Sequence, residues 1–194
     1  MIVARAAAAA MAALLILDAC GPTGHGHGST GQAAAAIGGP FALVDQTGRA
    51  VTDRDFRGKP TVVYFGFTYC PEVCPTTLAA ITNWIKALGP DAERLNFAFV
   101  SIDPERDTPR RMALYLSSFD PHIRGLTGAP ADVAKIAAEY RVYYHKVPIA
   151  GGGYTVDHST AVYLMRADGG FDSVITYQEP TDQALAQLRA LLRS

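Results

Sequence analysis

The sequence predicts an α/β fold: one mixed sheet with helices on both faces. Three observations carry this. Apolar runs of strand length alternate with segments whose apolar residues recur at helical spacing. The 194 residues are 49% hydrophobic with a formal net charge of −1, which fits one folded domain plus a short extra segment and excludes a disordered chain. Two thiols, Cys70 and Cys74, sit where the first long apolar run gives way to a helical pattern, and nothing along the chain repeats.

The extra segment comes first. Residues 1–19 hold one early positive charge, Arg5, and then an Ala/Leu/Ile-rich run of about 12 residues, too short for an ordinary spanning helix and suited to a secretory leader. It closes on Leu17-Asp18-Ala19-Cys20, which resembles a bacterial lipobox and makes Cys20 the expected lipidated residue; an uncleaved apolar anchor is the alternative. Either one tethers the chain to the bacterial cell membrane with its domain on the periplasmic or extracytoplasmic side. One acyl chain alone anchors only marginally. Losing residues 1–19 removes one basic and one acidic residue, Arg5 and Asp18, so the charge balance is unchanged. No basic run occurs, which argues against nucleic acid as a partner. Residues 20–39 are rich in Gly, Ala, Ser and Thr without a hydrophobic period and read as a flexible linker, in which His25 and His27 are solvated.

The folded domain is expected over residues 40–194. Residues 41–52 read as two short strands around a Thr47-Gly48 turn. Residues 61–67 are the first long strand. Residues 76–88 read as a helix with Leu78, Ile81, Ile85 and Leu88 on one face, stopped by Gly89-Pro90. Residues 96–102 form a continuous apolar strand. Thr108 fits an N-cap with Pro109 at the first helical position, and Met112, Leu114, Tyr115, Leu116 and Phe119 supply that helix's apolar surface. A further helix opens at Ala129-Pro130 and runs to about Tyr140. Residues 141–146 read as a short strand and Gly151-Gly152-Gly153 as a mobile loop. Residues 160–165 and 171–177 are strands joined by a turn at Ala167-Asp168-Gly169-Gly170, and Pro180 opens a last amphipathic helix. A βαβ unit followed by ββα, with a thiol pair after the first long strand, is the thioredoxin-like arrangement.

With Cys20 assigned to the anchor, Cys70 and Cys74 are a single close pair in a domain large enough to fold without staples, so their role is functional. Four positions apart at a helix start, both sulfurs fall on one side, and the helix N-terminus favours thiolate. Such a pair can form a disulfide, hold a soft metal, or do both. Pro71 and Pro75 point to a fixed, exposed turn. A metal on two thiolates wants a third ligand, and His122, His145 and His158 are the candidates. His158 is favoured: it lies just before the strand at 160–165, in a loop that faces the cysteines in thioredoxin-like folds and usually carries a proline in their oxidoreductases. Two thiolates and one imidazole suit Cu(I), whereas a structural zinc site wants a fourth ligand. Asp103 reads equally as a residue that orients a ligand or completes a Cu(II) shell and as a turn residue. Glu105, Arg106 and Asp107 read as ordinary loop and capping residues. Asp157 reads equally as a partner for His158 and as a solvated loop residue.

Three segments resemble the SCO/SenC family: Gly66-Phe67-Thr68-Tyr69-Cys70-Pro71-Glu72-Val73-Cys74-Pro75-Thr76, Ser101-Ile102-Asp103-Pro104-Glu105-Arg106-Asp107-Thr108-Pro109, and Val156-Asp157-His158-Ser159. The resemblance implies a thioredoxin-like copper protein that assembles the CuA centre of cytochrome c oxidase. It implies that Cys70, Cys74 and His158 bind copper in either oxidation state, and that a reversible Cys70–Cys74 disulfide releases the metal or reduces a partner. The implied partners are cytochrome c oxidase subunit II, or another copper-accepting oxidase subunit, and an upstream periplasmic copper donor. Metallochaperone is the first function expected; a thiol-disulfide reductase that keeps the acceptor's cysteines reduced is the alternative. A peroxidase of the peroxiredoxin type is disfavoured, because neither cysteine stands in a Pro-x-x-x-Thr-x-x-Cys pattern.

Overall fold

The structure, a computed structural model, describes residues 36–194. The leader, Cys20, His25 and His27 lie outside the described residues. A seven-stranded mixed sheet runs β2-β1-β5-β4-β3-β8-β9, and β6 and β7 form a separate two-stranded sheet. The central strands β3 (Thr61–Gly66), β4 (Asn96–Ser101) and β5 (Ile123–Thr127) are parallel. The hairpin β1 (Ala42–Asp45) and β2 (Ala50–Thr52) closes one edge, and the hairpin β8 (Val162–Met165) and β9 (Phe171–Ile175) closes the other, both antiparallel to their neighbours.

Four helices clothe this sheet. On one face, α1 (Val73–Leu88) and α2 (Pro109–Leu116) lie over Tyr64, Phe99 and Gly125; Tyr64 stacks on Phe99, Phe99 meets Tyr115 of α2, and α4 (Thr181–Leu191) packs against α1. On the other, α3 (Pro130–Glu139) and the Tyr140 that follows it cover Phe65. Every residue of β3 is buried, as a strand covered on both faces must be.

The expected elements are present with shifted ends, and three differences matter. A strand was not anticipated at 123–127, yet β5 pairs with both β4 and β1. Its Arg124 is accommodated by the buried Asp45, whose carboxylate lies 2.7 Å away. Burial pushes the Asp45 carboxyl up, but hydrogen bonds from Thr47, Arg124 and the Arg49 and Thr47 backbone outweigh it and hold the group well below the usual range. The strand expected over 141–146 is displaced to β6 (Tyr144–Pro148), and the Gly151–Gly153 segment, with three positive φ angles, is the turn into a second unanticipated strand, β7 (Tyr154–His158). Finally, Leu114 is 71% exposed and adds nothing to the core: α2 turns Met112 and Leu116, one turn apart, inward. The Thr108 cap is as expected, its hydroxyl accepting from the Arg111 N–H.

Candidate metal centre

Helix α1 begins at Val73, three residues earlier than the apolar period suggested. Cys74 therefore lies inside its first turn and is fully buried, while Cys70 stays in the loop before it and is half-buried. The turn expected from Pro71 and Pro75 is exposed at Pro71 and Glu72, but of the two cysteines only Cys70 reaches the surface. Room for Cys74 comes from Gly66 at the end of β3. A Cβ on Gly66 would meet the Cys74 sulfur at 2.7 Å, so the absence of a side chain there is what lets the sulfur rest on the strand.

Neither Cys70 nor Cys74 is in a disulfide, and they are not equivalent. The Cys74 N–H, one of the unpaired donors at the helix start, donates to Cys70 Sγ at 3.3 Å. A hydrogen bond from the Cys74 thiol, with help from the backbone, outweighs burial and pulls the Cys70 thiol down to about 4. The same bond, together with burial, pushes the Cys74 thiol up. Cys70 is thus the thiolate of the pair and Cys74 its proton donor.

His158 ends β7 and completes the group. One donor atom from each of Cys70, Cys74 and His158 lies within 4.8 Å of the other two, the one such cluster of cysteine, histidine and carboxylate groups among the described residues. The imidazole Nε2 is 3.5 Å from Cys74 Sγ, and Nδ1 is 2.7 Å from the Ser159 carbonyl. A carbonyl only accepts, so Nδ1 carries the proton and, in the neutral ring, Nε2 turns its lone pair toward the sulfurs. Phe67 holds the ring edge-on at 5.8 Å between centroids.

The other candidates are elsewhere. His122 is taken up by Asp120 at 2.6 Å and Glu93 at 2.9 Å, and those bonds raise its pKa. His145 is exposed on β6. Asp157 is exposed on the opposite face of β7 from His158, since neighbouring strand residues alternate, and the Ser159 carbonyl holds the ring in its place. Asp103 is fully buried, and its carboxylate is engaged by the Arg106 Nε and by the Tyr154 hydroxyl at 2.7 Å rather than joining the three donors. Asp107, read as a capping residue, has a different task. It is buried, accepts from the Thr68 N–H at 3.0 Å, the Thr68 hydroxyl at 2.6 Å and the Ser101 hydroxyl at 2.7 Å, and so pins the cysteine-bearing loop to the end of β4.

Residues 29–193 match the SCO1/SenC family model. This chain belongs to the SCO1/SenC family. Among its relatives, the mitochondrial SCO1 homolog 1 of Arabidopsis thaliana is 43% identical over 141 residues, covering 71% of this chain and 41% of that protein. Protein SenC of Rhodobacter capsulatus is 42% identical over 145 residues, covering 73% of this chain and 64% of that one. The chain thus spans less than two thirds of the length of these curated relatives. Among solved structures, Bradyrhizobium japonicum ScoI, described with copper bound, is 52% identical with a TM-score of 0.76 over 80% of this chain and 99% of that one.

Proposed function

We propose that this SCO1/SenC chain holds one copper ion on Cys70 Sγ, Cys74 Sγ and His158 Nε2 and delivers it to the CuA centre of cytochrome c oxidase subunit II. The observation that carries the reading is the convergence of these three donors within 4.8 Å, one imidazole lone pair already aimed at the sulfurs. Two soft thiolates and an imidazole match Cu(I) in donor type and number, and among the described residues no fourth donor of the kind structural zinc wants joins the cluster. The copper described in the Bradyrhizobium relative supports the same assignment. Copper is cargo here. Cys70 offers a ready thiolate at the surface, Cys74 gives up its proton as it becomes a ligand, and the half-buried edge at Cys70 is where an acceptor's thiolates exchange in.

Residues 1–19 serve as the leader, Cys20 carries the lipid, and residues 20–39 let the domain at 40–194 reach its partners from the extracytoplasmic face of the bacterial cell membrane; the leader-like composition supports this. An upstream periplasmic protein supplies the copper.

A second reading has an observation of its own. An activated, half-exposed Cys70 backed by a buried Cys74 is the arrangement of an attacking and a resolving thiol. Cys70 would attack a disulfide in the acceptor, Cys74 would resolve the mixed disulfide, and two electrons would pass to the acceptor as Cys70–Cys74 closes. One experiment separates the two. The copper-loaded chain is mixed with metal-free subunit II whose cysteines are already reduced, and the proteins are then separated for metal and thiol analysis. Copper arriving on the acceptor while Cys70 and Cys74 remain thiols is the expected result; copper retained by the donor contradicts delivery.

A further inference from the structure

His158 does not stand on the main sheet. It ends β7, and β6 and β7 form a two-stranded arm of their own. The third donor therefore depends on how this arm is fastened to the thiol-bearing body. Tyr154, Val156 and His158 share one face of β7, with Val156 buried and Tyr154 at the far end, about 13 Å along the strand from His158.

Around Tyr154 several ties run through Arg106, beside an exposed ion pair from Glu105 to Lys146 of β6 at 2.7 Å and a 3.4 Å bond from the Tyr154 hydroxyl to Glu105. The Arg106 Nη1 donates to the Tyr154 carbonyl at 2.8 Å, its Nε donates to the Asp103 carboxylate, and the Tyr154 hydroxyl donates to the other Asp103 oxygen at 2.7 Å. This ring of bonds closes on a carboxylate that is fully buried. The Arg106 guanidinium also lies over the Tyr154 ring at 3.8 Å and over the Tyr69 ring, next to Cys70, at 4.6 Å. One planar cation thus touches the loop that carries Cys70, the end of β4 and the arm that carries His158. A planar fork with several donors can do this; an ammonium can hold Asp103 but cannot also stack between two rings and reach the carbonyl.

We propose that Arg106 is a positioning residue that fastens the β6–β7 arm and so sets His158 against the thiol pair. The proposal rests on the copper reading for its consequence, and on the metal-free protein for its geometry. Arg106→Lys keeps a positive charge opposite Asp103, so the fold survives; the pair Arg106→Ala with Asp103→Asn serves as a second variant that leaves no buried charge unpaired.

Two measurements test it. In the reduced, metal-free chain, hydrogen exchange at the amides of β6 and β7 should quicken in both variants while β3 and β4 stay protected; unchanged protection of the arm overturns the proposal. Cu(I) affinity, from chelator competition, should fall about 10- to 100-fold in Arg106→Lys, the usual cost of losing a partner behind a ligand, and should show no further fall when the same change is made in His158→Ala. An equal fall in the His158→Ala background means that Arg106 does not act through His158, and it too overturns the proposal. Should the wild-type chain bind no Cu(I), the copper reading fails, and the exchange experiment still decides whether Arg106 fastens the arm.

Discussion

His158→Ala is expected to weaken Cu(I) binding by about 100-fold or more, exceeding the 10- to 100-fold usual for an outer partner of a ligand. Two factors of ten correspond to about 2.8 kcal/mol. The reason is geometric: Nε2 is the one nitrogen in the cluster, its tautomer is fixed by the Ser159 carbonyl, and the other two candidate histidines are not part of the group. The thiol pair should be affected far less. The largest cause of the lowered Cys70 thiol is the bond from Cys74, which does not involve His158, so the Cys70–Cys74 midpoint potential should move by no more than about 30 mV, a factor of ten for a two-electron couple. Chelator competition and redox titration of the same sample check both halves. Unchanged copper affinity would remove His158 from the site; a large potential shift with little loss of copper would make it a residue of the disulfide chemistry instead.

Oxidation should be more severe than loss of the histidine. A disulfide offers no thiolate, so closing Cys70 to Cys74 removes two of three donors at once. Cu(I) affinity in the oxidised chain is expected to drop by roughly 1,000-fold or more, and to return on reduction. The two sulfurs stand within 4.8 Å of each other, Cys70 in the loop and Cys74 in the first turn of the helix. Equal affinity in the two redox states would rule out a site built on both thiolates.

The Cys70, Cys74 and His158 cluster was legible because it rests on residue types at short spacing and on chain order: a thiol pair at the first strand-to-helix turn, and a histidine just before the strand that lies beside β3. What surrounds it was less so. β5 was missed because its five residues include Arg124 and Gly125, and the reasons they are tolerated, the Asp45 ion pair and the packing of Met112 and Leu116 over the glycine, exist only after folding. β6 was placed three residues early and β7 was missed because the arm stands outside the main sheet, keeps charges such as Lys146 and Asp157 at exposed positions and has no clear apolar period. Asp107 looked like a helix cap and Arg106 like an ordinary loop residue. Their partners, Thr68 and Tyr154, are 39 and 48 positions away, and spacing carries no trace of such contacts. The one local signal was Gly66, a glycine closing a strand of β-branched and aromatic residues, which marked a close approach without saying that a sulfur was the neighbour.

X-ray absorption at the copper edge of the reduced chain, titrated with Cu(I) to saturation, reads the ligands themselves. One copper per chain with two sulfur neighbours and one imidazole nitrogen is expected. A copper bound only through nitrogen and oxygen, or a reduced chain that takes up no copper, would contradict this ligand set.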